Sequence, residues 1–242
     1  MKTIDFSIIF PVMNQADHIE NVIKTYHREL TKEKYSFELI AVVNCTRDNS
    51  FEVCKKAAKE LLNASATFDV VTCYMLNGCG YGLGILHGLK KARGKYLVYL
   101  NCARIHVPDL IRALKHFTVD DSVVVHGVRV QRENEKRRLG SLLYNIFCRV
   151  IFRIPNRDIN GNPNIFSRKS YEKLQLNSID SMIDLELLEK VKKLNLPIVE
   201  VPVFDYSRHG GRSTSNFKTI FRLLKEVIRY WLKTRLSQYR VY

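Results

Sequence analysis

The sequence predicts an α/β fold: a mostly parallel sheet flanked by helices, closed by a basic amphipathic C-terminal helix. Three observations carry this. Across residues 6–126, short apolar runs alternate with helical patterns, the signature of a chain that winds repeatedly through one sheet. Those runs are rich in β-branched and aromatic residues and lack polar alternation, as strands covered on both faces do. The length, 242 residues with 46% hydrophobic content, suits one large core.

Phe6-Ser-Ile-Ile-Phe-Pro-Val12 is too short for a helix and reads as a central strand. A helix is expected near 16–34, a second strand over Phe37–Val43, and a helix over 50–62. Phe68–Tyr74 is the third strand, and the glycine cluster at 78–84 opens a helix running to 92. Tyr96–Leu100 is the fourth strand. A helix over 108–117 and a strand over Ser122–His126 complete the alternation. In such sheets ligands bind beyond the carboxyl ends of the strands, here Pro11–Gln15, Asn44–Asp48, Gly78–Gly84 and Asn101–His106.

The second part is less regular. Residues 130–140 are highly charged and read as a mobile loop, 141–153 as an amphipathic helix, and Asn156–Asn164 as turns. A helix over Met182–Lys193 and a strand from Ile198 follow. The expected division is a single domain over 1–215 and a helix over 216–242. In that last helix Ile220, Leu224, Val227 and Trp231 form one stripe, and Lys218, Arg222, Lys225, Arg229 and Lys233 another. Such a helix packs on the sheet or lies on an anionic membrane.

Lys+Arg number 39 against 24 Asp+Glu, a formal net charge of +15. This balance favours anionic partners: a nucleotide, a lipid phosphate, an acidic membrane or nucleic acid. Nucleic acid is set aside, because the aromatics fall in apolar stripes rather than beside basic groups as stacking platforms. The six cysteines form no C-x-x-C pair, so reduced thiols and a cytoplasmic setting are expected. The charged start leads straight into a strand, so no leader peptide is expected. No apolar run approaches the roughly 20 residues needed to span a bilayer.

Seven segments together resemble the family 2 glycosyltransferases of GT-A fold, and within them the polyprenyl-phosphate branch typified by dolichol-phosphate mannose synthases. Phe6–Gln15 is similar to the opening S-I-V-I-P-V-Y-N-E. Ile40–Ser50 is similar to V-V-D-D-G-S-T-D-x-S, and Gly88–Tyr96 to G-L-x-x-A-x-G-x-Y. Asn101–Leu110 sits where D-A-D-x-x-H-P-P would sit. Arg157–Arg168 resembles the R-D…F-x-R of the lipid-phosphate branch. Asp184-Leu-Glu186 and Arg208-His-Gly-Gly-Arg-Ser213 resemble the later helix and the R-x-G-G-x-S loop.

The resemblance implies a nucleotide-sugar pocket at Pro11, Met13, Gln15, Asn44, Gly80, Gly82, Asn101, Ala103 and Arg104. Acceptor-side groups are implied at Arg129, Arg137, Ser141, Asp184 and Arg208. Asp184 matches the base of members that use hydroxyl acceptors; on the residues alone it also serves as a helix cap. The glycine cluster reads either as part of the donor pocket or as a plain strand-to-helix turn.

The family's acids are missing. Asn101 and Ala103 replace the D-x-D pair that holds a divalent cation, Gln15 replaces a Glu, and Val43 and Asn44 replace paired Asp residues. A hard cation needs anionic oxygens, so no metal site is expected. No cofactor is expected either; Mg2+ or Mn2+ would enter only if the neutral site still took a cation. Two outcomes follow. Arg104 and Arg47 could replace the cation on the leaving diphosphate, giving a metal-independent or weakened transferase. Its donor would be a nucleotide-sugar, its acceptor a lipid phosphate or glycan precursor, and it would sit peripherally on the inner face of the membrane. Alternatively, the chain is a non-catalytic subunit that binds a partner glycosyltransferase or membrane.

Overall fold

The computed structural model describes residues 4–64, 70–130, 135–204, 209–210 and 217–238. In chain order the elements are β1 (Phe6–Val12), α1 (Ile19–Lys32), β2 (Phe37–Asn44), α2 (Ser50–Ala64), β3 (Val70–Leu76), α3 (Tyr81–Lys91), β4 (Tyr96–Tyr99), α4 (Val107–Val119), β5 (Val124–Arg129), α5 (Glu135–Phe152), β6 (Asn164–Ser167), α6 (Arg168–Leu174), α7 (Ile183–Lys193), β7 (Ile198–Val203) and α8 (Phe217–Gln238).

The strands form one seven-stranded sheet in the order β3-β2-β1-β4-β6-β5-β7. Only β6 runs antiparallel to its neighbours, so the sheet is mostly parallel, as in the GT-A arrangement. β1 and β2 are buried along their whole length, which is why they read as unbroken apolar runs. Alternate side chains of β1 enter opposite layers. Ile8, Phe10 and Val12 join a core with α1, α2 and α4, while Ile9 joins a second core with α3 and α7. A third, smaller core holds Tyr144, Cys148 and Phe152 of α5 against α7 and Val227 of α8. Register pairs Val12 with Val43, so the loops after β1 and β2 emerge side by side.

Several sequence expectations are corrected. The charged segment near 130–140 is helical from Glu135, because α5 starts there rather than at 141. Arg129 closes β5 rather than following it. The turns after Asn156 end at Asn164, where β6 inserts between β4 and β5, and α6 follows directly. The reduced-thiol expectation fails for one pair: Cys45 and Cys79 form a disulfide across 34 residues, while Cys54, Cys102 and Cys148 are buried thiols. Among the described residues no helix is long and apolar enough to cross a membrane.

Candidate functional site

Two clusters form at the carboxyl ends of the strands. The first gathers the loops after β1, β2, β3 and β4, where the donor pocket was expected.

The loop after β2 is knitted to the loop after β1. Asn14 adopts φ 53° and Cys45 φ 54°. The Asn14 carboxamide oxygen accepts the Arg47 amide at 2.7 Å, and the Gln15 amide donates to Ser50 Oγ at 2.8 Å. Asp48 is the junction. It accepts from Thr46 Oγ1 at 2.6 Å, from the Ser50 amide at 3.0 Å and from the Ala16 amide at 3.0 Å. Burial works to raise its pKa, but the hydrogen bonds from Ser50, Thr46 and Ala16 prevail and hold it at about 2. Each of its oxygens thus accepts at least one hydrogen bond from the protein, while the residue itself is exposed.

The loop after β4 closes on itself. Asn101 Oδ1 accepts the Ala103 amide at 3.1 Å, and the Asn101 carbonyl accepts the amides of Arg104 and Ile105. This is a side-chain-mimicked turn of the kind Asn and Asp favour. Cys102 and Ala103 are buried. Cys102 donates its thiol to Gln15 Oε1 at 3.1 Å, so Gln15 faces inward. Tyr26, from α1, clamps the loop by donating to the Ile105 carbonyl at 2.5 Å. His209 covers it: its amide donates to the Ala103 carbonyl, and its ring lies beside that of His106, centroids 4.1 Å apart and planes tilted by 38°. Gly210 packs against His18, whose Nδ1 pairs with Asp17 at 2.5 Å.

The glycine cluster, at the start of α3, lies against the 178–180 segment. The amides of Gly82 and Leu83 donate to the carbonyls of Asp180 and Ile179. A Cβ on Gly82 would lie 2.1 Å from the Ser178 carbonyl oxygen, and one on Gly80 2.1 Å from that of Ile179. These glycines let the 178–180 segment lie directly on the start of α3. Asn44 Nδ2 donates to the Gly80 carbonyl at 2.7 Å, and the neighbouring Cys45–Cys79 bridge ties the same two loops covalently. Pro11 and Gly82 are buried, Arg104 is half-buried and Met13 is exposed.

The second cluster lies between β4, β5 and α7. The turn from Asp158 to Pro163 folds over the end of β5, where Gly127 lacks room for a side chain; a Cβ there would lie 2.1 Å from the Asn162 carbonyl oxygen. Arg129 holds Asp158 through one edge of its guanidinium, with Nε to Oδ2 at 2.5 Å and a second contact from Nη2 to Oδ1. Both are largely buried, the side chains 12% and 4% exposed. Asp184 lies within their electrostatic reach. Burial pushes its carboxyl up to about 7, opposed by the Tyr99 hydroxyl, which donates to it at 3.0 Å, and by Arg129. Asp184 does not cap α7: Met182 occupies the N-cap, and Asp180 accepts its amide.

The remaining expected residues scatter. Ser141 is half-exposed on α5, and Arg137 lies in the same helix, its side chain outside the described residues. Arg208 lies outside them as well. Arg157 is exposed. Arg168, the last residue of the Arg157–Arg168 motif, lies at the opposite ends of the strands, donating to the carbonyls of Ala92 and Gly94. His126 is buried between Asn164 and the Asp158 carbonyl. Sequence reasoning did not single out Tyr26, Tyr99 or His18 as neighbours of these clusters. Among the described residues no group of three His, Cys, Asp or Glu side chains is arranged to hold a metal ion.

A family profile described as "Glycosyl transferase family 2" matches residues 7–175. Among curated proteins, the chain is 23% identical over 239 residues to "Glycosyltransferase AglD" of Haloferax volcanii, covering 94% of this chain and 37% of that protein. It is 27% identical over 233 residues to a dolichol-phosphate mannosyltransferase of Pyrococcus furiosus, covering 92% and 62% respectively. The chain thus spans less than two thirds of either relative's length. Among solved structures, glucosyl-3-phosphoglycerate synthase of Mycobacterium tuberculosis, in complex with Mn2+, uridine-diphosphate and phosphoglyceric acid, matches with a TM-score of 0.70 at 13% identity, covering 94% of this chain and 78% of that one. At that identity the likeness establishes the fold alone.

Proposed function

The chain belongs to the family 2 glycosyltransferases, and from that premise we propose that it transfers a sugar from a nucleotide-sugar to a lipid phosphate at a membrane surface, using a donor site that works without a divalent cation. The names of two relatives, a dolichol-phosphate mannosyltransferase and a dolichyl-phosphate beta-glucosyltransferase, support the acceptor class.

The observation that carries the donor half is the closure of the strand-end acids and their replacements. A hard cation prefers anionic oxygen ligands. Asn101 turns its oxygen into its own loop, Ala103 is a buried methyl, and Asp48 is the one acid of the three, its oxygens accepting from Thr46, Ser50 and Ala16. These residues do not fit a divalent ion, so no step is routed through one. Arg47 and Arg104 are carried on the two loops flanking the position a diphosphate would take, and a guanidinium pairs two phosphate oxygens at once. Their charge would offset the negative charge that builds as the glycosidic bond to the diphosphate breaks.

On the acceptor side, a phosphate is already ionised and needs no general base; it needs cations. Arg137 and Arg208 are assigned that role. Arg129 serves as a positioning residue, because its bidentate pair with Asp158 fixes the 158–163 turn. A second reading has its own support: a buried Asp184 at about 7 is tuned for proton abstraction from a hydroxyl near neutral pH, which would suit a glycan acceptor.

The test is transfer of radiolabelled sugar from UDP- and GDP-sugars into polyprenyl phosphate, with EDTA present. Label entering the lipid, retained in Asp184→Asn, supports the lipid-phosphate reading. Transfer only to hydroxyl acceptors, abolished in Asp184→Asn, supports the second. No transfer with any pair, by the full chain, contradicts both and leaves the non-catalytic alternative.

A further inference from the structure

The outer face of α5 carries an apolar stripe that the fold does not use. Leu139, Leu142, Leu143, Ile146 and Val150 are 46–72% exposed. Their spacing of three and four residues puts them on one side of the helix, within an arc of about 100° and along roughly 17 Å of axis. The opposite side of α5, through Tyr144, Cys148 and Phe152, already fills the small core shared with α7 and α8. The helix is therefore apolar on both faces, and only one is covered by the described residues.

α8, packed on α5, repeats the pattern with charge added. Ile228, Leu232 and Leu236 are exposed at intervals of four. Lys225, Arg229 and Lys233 form an exposed row beside them. The helix holds a single acid, Glu226, among six basic residues, and Glu226 is itself beside Arg222. At the C-terminal end of α5 a cleft of about 380 Å³ opens between α5, α7 and α8. Arg153, Lys192, Trp231 and Arg235 line it, with the Arg235 guanidinium 5.7 Å from the Trp231 ring. The acid in the cleft, Glu189, is neutralised by Lys193 and accepts the Tyr230 hydroxyl.

We propose that this α5–α8 face docks on an anionic lipid bilayer, the Leu139–Val150 stripe entering the acyl boundary and the basic rows meeting acidic headgroups. Charge complementarity selects this occupant. A helix with an apolar stripe flanked by Lys and Arg lies in the plane of an acidic interface. A second copy of the chain would set one basic row against another. The inference deepens the lipid-phosphate reading by locating the surface that would bring the chain to such an acceptor. Its test contains no polyprenyl phosphate and no sugar donor, so either can fail without the other.

The experiment is co-sedimentation of the full chain with vesicles of phosphatidylcholine alone or with about one third phosphatidylglycerol, paired with light scattering of the lipid-free protein. Expected are binding to the acidic vesicles that weakens with salt, and loss of about tenfold in affinity for Ile146→Glu or Val150→Glu, both at exposed positions. Ile146→Leu should bind like the wild type, and circular dichroism should show all three variants folded. Lys225→Glu with Arg229→Glu should weaken binding to acidic vesicles. Equal binding by wild type and the Glu variants, or no binding to acidic vesicles, overturns the proposal. So does a lipid-free dimer that the Glu variants dissociate, which would assign the stripe to a second copy.

Discussion

Replacing Asp184 with asparagine isolates the cost of burying that carboxyl. In the folded chain burial raises it from an ordinary 3.8 to about 7. Between those values the native state holds a proton that the unfolded chain has released, so wild-type stability falls as pH rises from about 4 to about 7, and is flat in this respect above. Three pH units at about 1.4 kcal/mol each set an upper bound of about 4 kcal/mol. The Tyr99 bond survives the change, since the amide oxygen accepts from the hydroxyl as the carboxylate does. Asp184→Asn should therefore match the wild type near pH 4 and exceed it by about 2–4 kcal/mol at pH 8.5. Urea unfolding at both pH values reads this directly, and the difference between the two proteins cancels all other titrations. A difference that does not change with pH refutes the reasoning and means that the carboxyl is solvated in the folded protein.

Three further outcomes follow from packing and pairing. Asp158→Ala removes the bidentate partner of the Arg129 guanidinium, 12% exposed, and should cost about 3–5 kcal/mol in chemical denaturation, whereas replacing both partners with apolar residues should cost much less. Gly82→Ala drives a methyl to 2.1 Å from the Ser178 carbonyl oxygen and 2.7 Å from that of Asp180, and should lower stability by about 1–3 kcal/mol. Cys45→Ser with Cys79→Ser removes a link across 34 residues; loop-closure entropy predicts a loss of about 3–4 kcal/mol under oxidising conditions and none in reductant.

The strand–helix alternation was legible because β1, β2 and β4 are buried on both faces, and burial leaves a continuous apolar run in any sequence. The family motifs then placed the loops at the correct ends of those strands. What escaped was whatever depends on partners distant in sequence. Glu135–Arg138 looked like a loop because Glu-Lys-Arg-Arg carries no apolar period. β6, four residues long, was hidden inside a motif. Arg168 closes the motif that begins at Arg157, yet β6 runs antiparallel and carries it to the amino-terminal end of β4, beside Gly94. Gly80 and Gly82 read as part of the donor pocket by family position or as a plain turn, and nothing local shows that residues 178–180 lie against them. The exposed stripe on α5 was missed for a related reason: periodicity marks apolar faces but does not show which is covered.

The account depends most on the claim that the rebuilt loops at Asn101–Ala103 and Asp48 bind a nucleotide diphosphate without a cation. Calorimetric titration of UDP and GDP into the chain, once in EDTA and once in Mn2+, tests it directly. The predicted result is one affinity in both buffers, weakened by Arg104→Ala, with cation dependence appearing only when Asn101→Asp and Ala103→Asp are introduced together. Binding seen in Mn2+ and lost in EDTA with the wild-type chain would contradict it.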